Sequence, residues 1–181
     1  HAMKTYPVIA AALCALLSTG CTKEEQEQLA VEAELLLQYN AIEFTVEPGA
    51  DDGQEELNLT FNGQELNTLL SNNGYTMDQL QEFTFTKADL RILSPDEQNF
   101  DPVDMVEMRL SASGADARTI ASLNPVPDGV RELSLELANV NAAGILRSSD
   151  VALKMVAEVH GTFAEPVLMR ADLGGRVVVR L

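Results

Sequence analysis

The sequence predicts a mainly β chain: a single two-sheet β-sandwich with short crossover helices, preceded by an N-terminal α-helix. Two observations carry this. From residue 41 onward apolar and polar residues alternate with period two in run after run, the pattern of half-buried strands. The runs are short and parted by turn-forming clusters such as Pro48-Gly49, Asn72-Asn73-Gly74 and Asp128-Gly129. Roughly eight strands at such spacing need a second sheet to cover the first.

In chain order, residues 22–39 predict a helix. Thr22 and Glu25 have capping-box spacing, and Leu29, Ala33, Leu36 and Leu37 recur at helical intervals. Ile42, Phe44 and Val46 then alternate with Glu43, Thr45 and Glu47 as a first strand. Leu57, Leu59 and Phe61 mark a second, closed by Asn62-Gly63. Gln64 to Leu70 predicts a short helix with Leu66, Leu69 and Leu70 on one face. Thr76 to Gln79 has capping-box spacing for one more helical turn. In the next strand Phe83 and Phe85 share one face, whereas Ala88, Leu90 and Ile92 share the other, so a bulge near Thr86 is expected, or burial of both faces. Strands follow over 105–113 (Val106, Met108 and Leu110 inward), 118–123 and around Leu133, Leu135 and Leu137. Residues 140–146 predict a helical or irregular crossover. Val151, Leu153, Met155, Ala157 and Val159 form a long alternating strand, and 167–173 with 177–179 supply one or two more. The sequence Glu56-Leu57-Asn58-Leu59 and a following Leu-Leu turn is echoed by Glu132-Leu133-Ser134-Leu135 and a later Ile145-Leu146, which predicts two similar strand-to-helix crossovers within one sandwich.

The first residues carry an address. His1 and Ala2 look like residues left from cloning, so Met3 is the expected start. Lys4 precedes an apolar run from Val8 to Leu17, the layout of a secretory signal. The run is too short to cross a bilayer, which takes about 20 residues. It ends Leu17-Ser18-Thr19-Gly20-Cys21. This resembles the lipobox of bacterial lipoproteins, with Leu17 one residue earlier than that family prefers. The resemblance implies cleavage before Cys21 and acylation of its thiol, palmitate being the expected kind of chain. It also implies a lipid-anchored protein of the outer membrane, facing the cell surface or the periplasm. Thr22-Lys23-Glu24-Glu25 is similar to the surface-export signal of Bacteroidota lipoproteins. The strand order and the phrase Asn99-Phe100-Asp101 are similar to immunoglobulin-like domains of surface lipoproteins in that group, which implies an immunoglobulin-like sandwich and no particular activity. The expected organisation is therefore a signal over 1–20, a lipidated anchor and helical spacer over 21–40, and a sandwich domain over 41–181.

Charge narrows the partners. The chain carries 28 acidic against 12 basic side chains, a formal net charge of −16, and loss of the signal removes Lys4 alone among them. Nucleic acid, which is bound through displaced counterions, is not an expected partner. Nor is an electrostatic hold on anionic lipid, so the covalent lipid must do the anchoring. The only cysteines are Cys14 and Cys21. One leaves with the signal and the other takes lipid, so no disulfide is expected.

Residues suited to chemistry are few. His160 is the one histidine after the signal and falls on the outward face of its strand with Lys154 and Glu158. No second histidine is present to build a zinc site, and no nucleophile or phosphate-loop motif occurs. Two acidic loops raise the question of calcium, which takes six to eight oxygen ligands. They are Asp51, Asp52 and Glu55 with Glu56, and Asp96, Asp101 and Asp104 with Glu97. Neither has EF-hand spacing, and a solvated loop explains both. No other cofactor is expected. The expectation is a membrane-anchored, non-enzymatic binding or assembly module with a protein partner in the envelope. A structural subunit of a surface polymer or envelope complex comes next. A glycan-binding or carbohydrate-active protein comes last, because the chain holds no Trp and few aromatics for sugar stacking.

Overall fold

The structure, a computed structural model, describes residues 32–49 and 52–181. These form two five-stranded antiparallel sheets packed face to face. Sheet 1 contains β1 (Glu32–Gln38), β2 (Ile42–Val46), β10 (Val167–Arg180), β4 (Leu80–Ser94) and β7 (Glu132–Ser134). Sheet 2 runs β3 (Gly53–Leu59), β9 (Ala152–Val159), β5 (Val103–Ala112), β6 (Ala115–Leu123) and β8 (Glu136–Leu137). Two helices, α1 (Gln64–Asn72) and α2 (Ala143–Leu146), sit in the crossovers from β3 to β4 and from β8 to β9. A short helix follows each of the two echoed strand segments, but the crossovers are not alike as expected: the first passes from sheet 2 to sheet 1, whereas the second starts and ends in sheet 2.

The two-sheet sandwich is what the chain forms, and its strand order is specific. β1 and β2 lie end to end along one edge of β10, and β7 and β8 are parted by Leu135 alone. Counted as single strands, they leave eight, ordered 1-8-3-6 in sheet 1 and 2-7-4-5 in sheet 2. First pairs with eighth, second with seventh, third with sixth and fourth with fifth, the double Greek key of a jelly roll. This is not the immunoglobulin strand order that the sequence led us to expect, A-B-E-D facing C-F-G; what the two share is a pair of packed antiparallel sheets.

One expected element differs. Residues 32–38 are strand β1, not the second half of a helix, so the sandwich begins at Glu32 and not at residue 41. Ala33, Leu35 and Leu37 face inward, whereas Leu36 points to solvent at 73 % exposure. Three consecutive leucines satisfy both periods, and pairing with β10 decides between them. The remainder of the expected helix, and the signal and lipid site around Cys21, lie outside the described residues. The register against β10 slips by one residue between Gln38↔Gly174 and Ile42↔Ala171, so a bulge at residues 39–41 links β1 to β2.

The bulge expected near Thr86 is present: Gly174 pairs with Lys87 and Gly175 with Phe85, which leaves Thr86 over. It changes the inward phase of β4 from Phe83 and Phe85 to Ala88, Leu90 and Ile92, all buried. Gly175 is required beneath this turn of the sheet. A Cβ there would lie 2.2 Å from the Phe83 ring. Phe83 in turn meets Phe85 edge-on at 5.0 Å. Residues 167–173 and 177–179 belong to one strand, β10, which is the second strand of sheet 1 and the longest-range pairing in the fold. Burying a Leu, Val, Phe or Met side chain contributes about 1.5–3 kcal/mol, so this interior holds the domain without a crosslink.

The two sides of the sandwich are closed differently. On one, the segment 132–137 passes from sheet 1 to sheet 2: β7 pairs with β4, Leu135 N–H donates to Ala88 O at 2.9 Å, and β8 pairs with β6. Leu133 and Leu135 are buried and Leu137 is not, because the strand changes partners between them. Above β7, the Asn141 side chain bonds the free edge of β4, accepting from Phe83 N–H and donating to Gln81 O. On the other side, β2 pairs only with β10 and β3 only with β9.

Candidate functional site

Antiparallel order gathers the loops into two poles. Glu32, the β5–β6 turn, α1 and α2 lie at one, which we call proximal. The connections β2–β3, β4–β5, β6–β7 and β9–β10 meet at the other, the distal pole. The described acidic positions singled out from the sequence thus stand toward a single end of the molecule, Asp52, Asp96 and Asp101 in loops but Glu55, Glu56 and Asp104 in strands β3 and β5, where loops had been expected.

They do not converge on one point. Asp101 is bound into the loop framework: its Oδ1 accepts from Gly129 N–H, and its Oδ2 accepts from Asn99 Nδ2 at 2.8 Å. Asn99 Oδ1 accepts from Asp101 N–H at 3.1 Å, an Asx turn that drives Phe100 into the interior at 2 % exposure. The phrase Asn99-Phe100-Asp101 is therefore a structural device. Asp104 lies 2.7 Å from His160 Nδ1 on the surface, and His160 N–H donates to Pro102 O. Asp96 is almost fully exposed, 3.9 Å from Arg131. Asp52 and Glu55 belong to the β2–β3 side, and Asp51 lies outside the described residues. Among the described residues no three His, Cys, Asp or Glu side chains are grouped to hold a metal ion. Hydrogen bonds thus tie three of the four loops together: β4–β5 to β6–β7 through Asp101 and Gly129, and to β9–β10 through His160.

Beneath the distal pole, on the side between β2 and β3, is a cavity of about 350 Å³. Sheet 1 contributes Val46, Leu90 and Met169, and sheet 2 contributes Leu57, Val106 and Met155. Phe100 and Phe163 close it from the loops. Its polar groups are at the mouth, where Thr45, Glu47, Glu55, Glu56 and Thr162 stand. Glu56 is engaged by Lys154 at 2.6 Å, and that hydrogen bond and charge hold its carboxyl below the usual range. Glu55 folds against Gly49, where a Cβ would sit 2.9 Å from Oε1. Ala157 keeps the space open: it faces inward between Met155 and Val159, and a larger side chain there would enter the cavity.

A shallower groove follows the same side toward the proximal pole, around the 39–41 bulge. Asn40 N–H donates to Glu65 Oε2 at 2.8 Å and so ties α1 to the bulge, and Leu66 and Leu70 of α1 are buried. Tyr39 is 3 % exposed and stacks on Phe61 at 4.9 Å. Its hydroxyl has no hydrogen-bond partner among the described residues. Burial first, and the Glu65 carboxylate second, push it well above the ordinary phenol range.

The flat outer faces of the sheets are laced with charge. On sheet 1, Arg176 bridges Glu34 and Glu82 across three strands, and Arg170 pairs with Asp172. On sheet 2, Glu107 accepts from Arg109 at 2.6 Å and from the Thr119 hydroxyl. The Arg109 bond, and after it the Thr119 bond, hold the Glu107 carboxyl below its usual range against the opposing effect of burial. No helix among the described residues is long and apolar enough to cross a membrane. No protein-family model and no curated protein matches the chain.

The sequence located the acids and His160 but neither the cavity nor the Tyr39 groove. The one available signal was Ala157, the smallest inward residue of its strand.

Proposed function

We propose that the chain is a non-catalytic binding module of the cell envelope, anchored in the outer membrane by lipid on Cys21, with the distal pole as its binding end. The observation that supports this is the opposition of the two poles. The chain enters the sandwich at Glu32, on the proximal pole, so a tether through Cys21 attaches there. The cavity and the loop cluster are at the far end. The charge-laced outer faces favour contact with water, whereas the distal pole offers a half-open, mainly apolar cavity with polar groups at its mouth, the composition of ligand sites generally. The fold itself assigns no activity, since jelly rolls carry many.

The test has two parts. Cys21→Ala should move the protein from the membrane pellet to the soluble fraction and abolish labelling by a clickable palmitate analogue. A photoreactive residue at Thr162 should give crosslinks in intact cells, and one at Asn73, near α1, should give none. Membrane association that survives Cys21→Ala would remove the anchor, and crosslinks from Asn73 alone would remove the polarity.

A further inference from the structure

We propose that the distal cavity takes a small cationic amphiphile, with an apolar tail seated between the sheets and an ammonium group held at the mouth by Glu47 and Glu55. This rests on the distal pole being the binding end and names the ligand class it admits. The tail follows from the floor. Leu90, Val106, Met155 and Met169 offer no strong donor or acceptor, and a polar group placed there would lose its hydration without compensation. The two methionines adapt to chains of differing shape. At about 350 Å³ the space suits the tail of a small molecule and is at the low end for ligand cavities.

The head follows from charge. Among the described residues no Lys or Arg lines the cavity. Of the neighbouring cations, Lys154 is bound to Glu56, and Arg131 is bound to Ile92 O and faces Asp96. A fatty-acid carboxylate or a phosphate at this mouth would meet Glu47 and Glu55 in a chain of net charge −16. Like charges at short range disfavour such anions, whereas an ammonium there is attracted by the same two carboxylates. Thr45 and Thr162 supply hydroxyls beside either head, so the carboxylates decide the sign.

The experiment uses the full chain carrying Cys21→Ser, so that no covalent lipid competes. It is titrated by calorimetry with dodecyltrimethylammonium and, separately, dodecyl sulfate, each below its micelle concentration. The expected result is one molecule per chain, with the ammonium at least about tenfold tighter, a difference of ~1.4 kcal/mol. Ala157→Leu should weaken that binding at least about tenfold with the melting temperature unchanged or raised. The pair Glu47→Gln with Glu55→Gln, at the exposed rim, should bring the two probes within about threefold. Equal affinity of the two probes would overturn the charge argument. Binding at many molecules per chain that persists in Ala157→Leu, or no binding, would overturn the cavity as the site. No amphiphile binding with Thr162 crosslinks intact would sink this ligand class alone, whereas loss of the crosslinks as well would sink the binding end.

Discussion

The two sides of this sandwich solve the same problem in opposite ways. Two sheets that meet face to face leave a seam along each pair of edge strands. On the β7–β8 side the chain stitches the seam, because one short segment pairs with both sheets in turn and plugs the gap with Leu133 and Leu135. On the β2–β3 side no backbone pairing among the described residues joins the sheets, and the seam is filled in part by α1 and otherwise left as cavity and groove. The same fold thus spends one edge on cohesion and keeps the other for access. A seam can bind something only where it has not been sewn shut.

That contrast can be broken at its sealed side first. Leu133→Ala, at 3 % exposure, should destabilise by about 3 kcal/mol through lost burial and the void left behind, read from the midpoint of a urea transition. A loss under about 1 kcal/mol would mean that the stitch is not what closes the seam. The open side should respond with the other sign. Tyr39→Phe removes a buried hydroxyl that has no partner among the described residues and should stabilise by about 1 kcal/mol, and a destabilised variant would show that the hydroxyl is satisfied after all. Ala157→Leu should add about 0.5–1 kcal/mol by filling space the seam leaves empty; a loss of more than that would show a packed wall in place of a cavity.

The smallest effect belongs to a flat face, away from both seams. The folded pKa of Glu107 is depressed by Arg109 and Thr119. Its contribution is therefore present above the unfolded value, roughly 4.3, and is lost as pH falls through the depressed folded value. The stability gap between wild type and Glu107→Gln should be open at pH 7 and narrow as acid is added below that unfolded value. A gap constant down to pH 2 would remove the charge from the account.

Much of this was legible in sequence because strands announce themselves one residue at a time. Val106, Met108 and Leu110 point inward on the period that predicted them, and the phase change around Thr86 betrayed its bulge. What failed did so where two patterns overlap or where the fact belongs to no single strand. Leu35-Leu36-Leu37 fits a helix or a strand, and only β10 selects. Leu137 continues the alternation of Leu133 and Leu135, yet it is exposed because its strand has changed sheets. The cavity is a difference between what two sheets supply and what they need, so Ala157 looked like one more inward residue. The acids were seen as loops, but their assembly at one pole is a property of strand order, which alternation does not encode.

The first-with-eighth pairing has a further consequence. β10 runs through sheet 1 with β1 and β2 on one side and β4 on the other, and it is the last strand of the sequence given. A ribosome releasing this chain from its beginning would make every edge of sheet 1 before making the strand that joins them. Pairing between distant segments is slow, and here it is also forbidden until synthesis has passed residue 167. Sheet 1 therefore closes last, after every strand of sheet 2 has already left the ribosome.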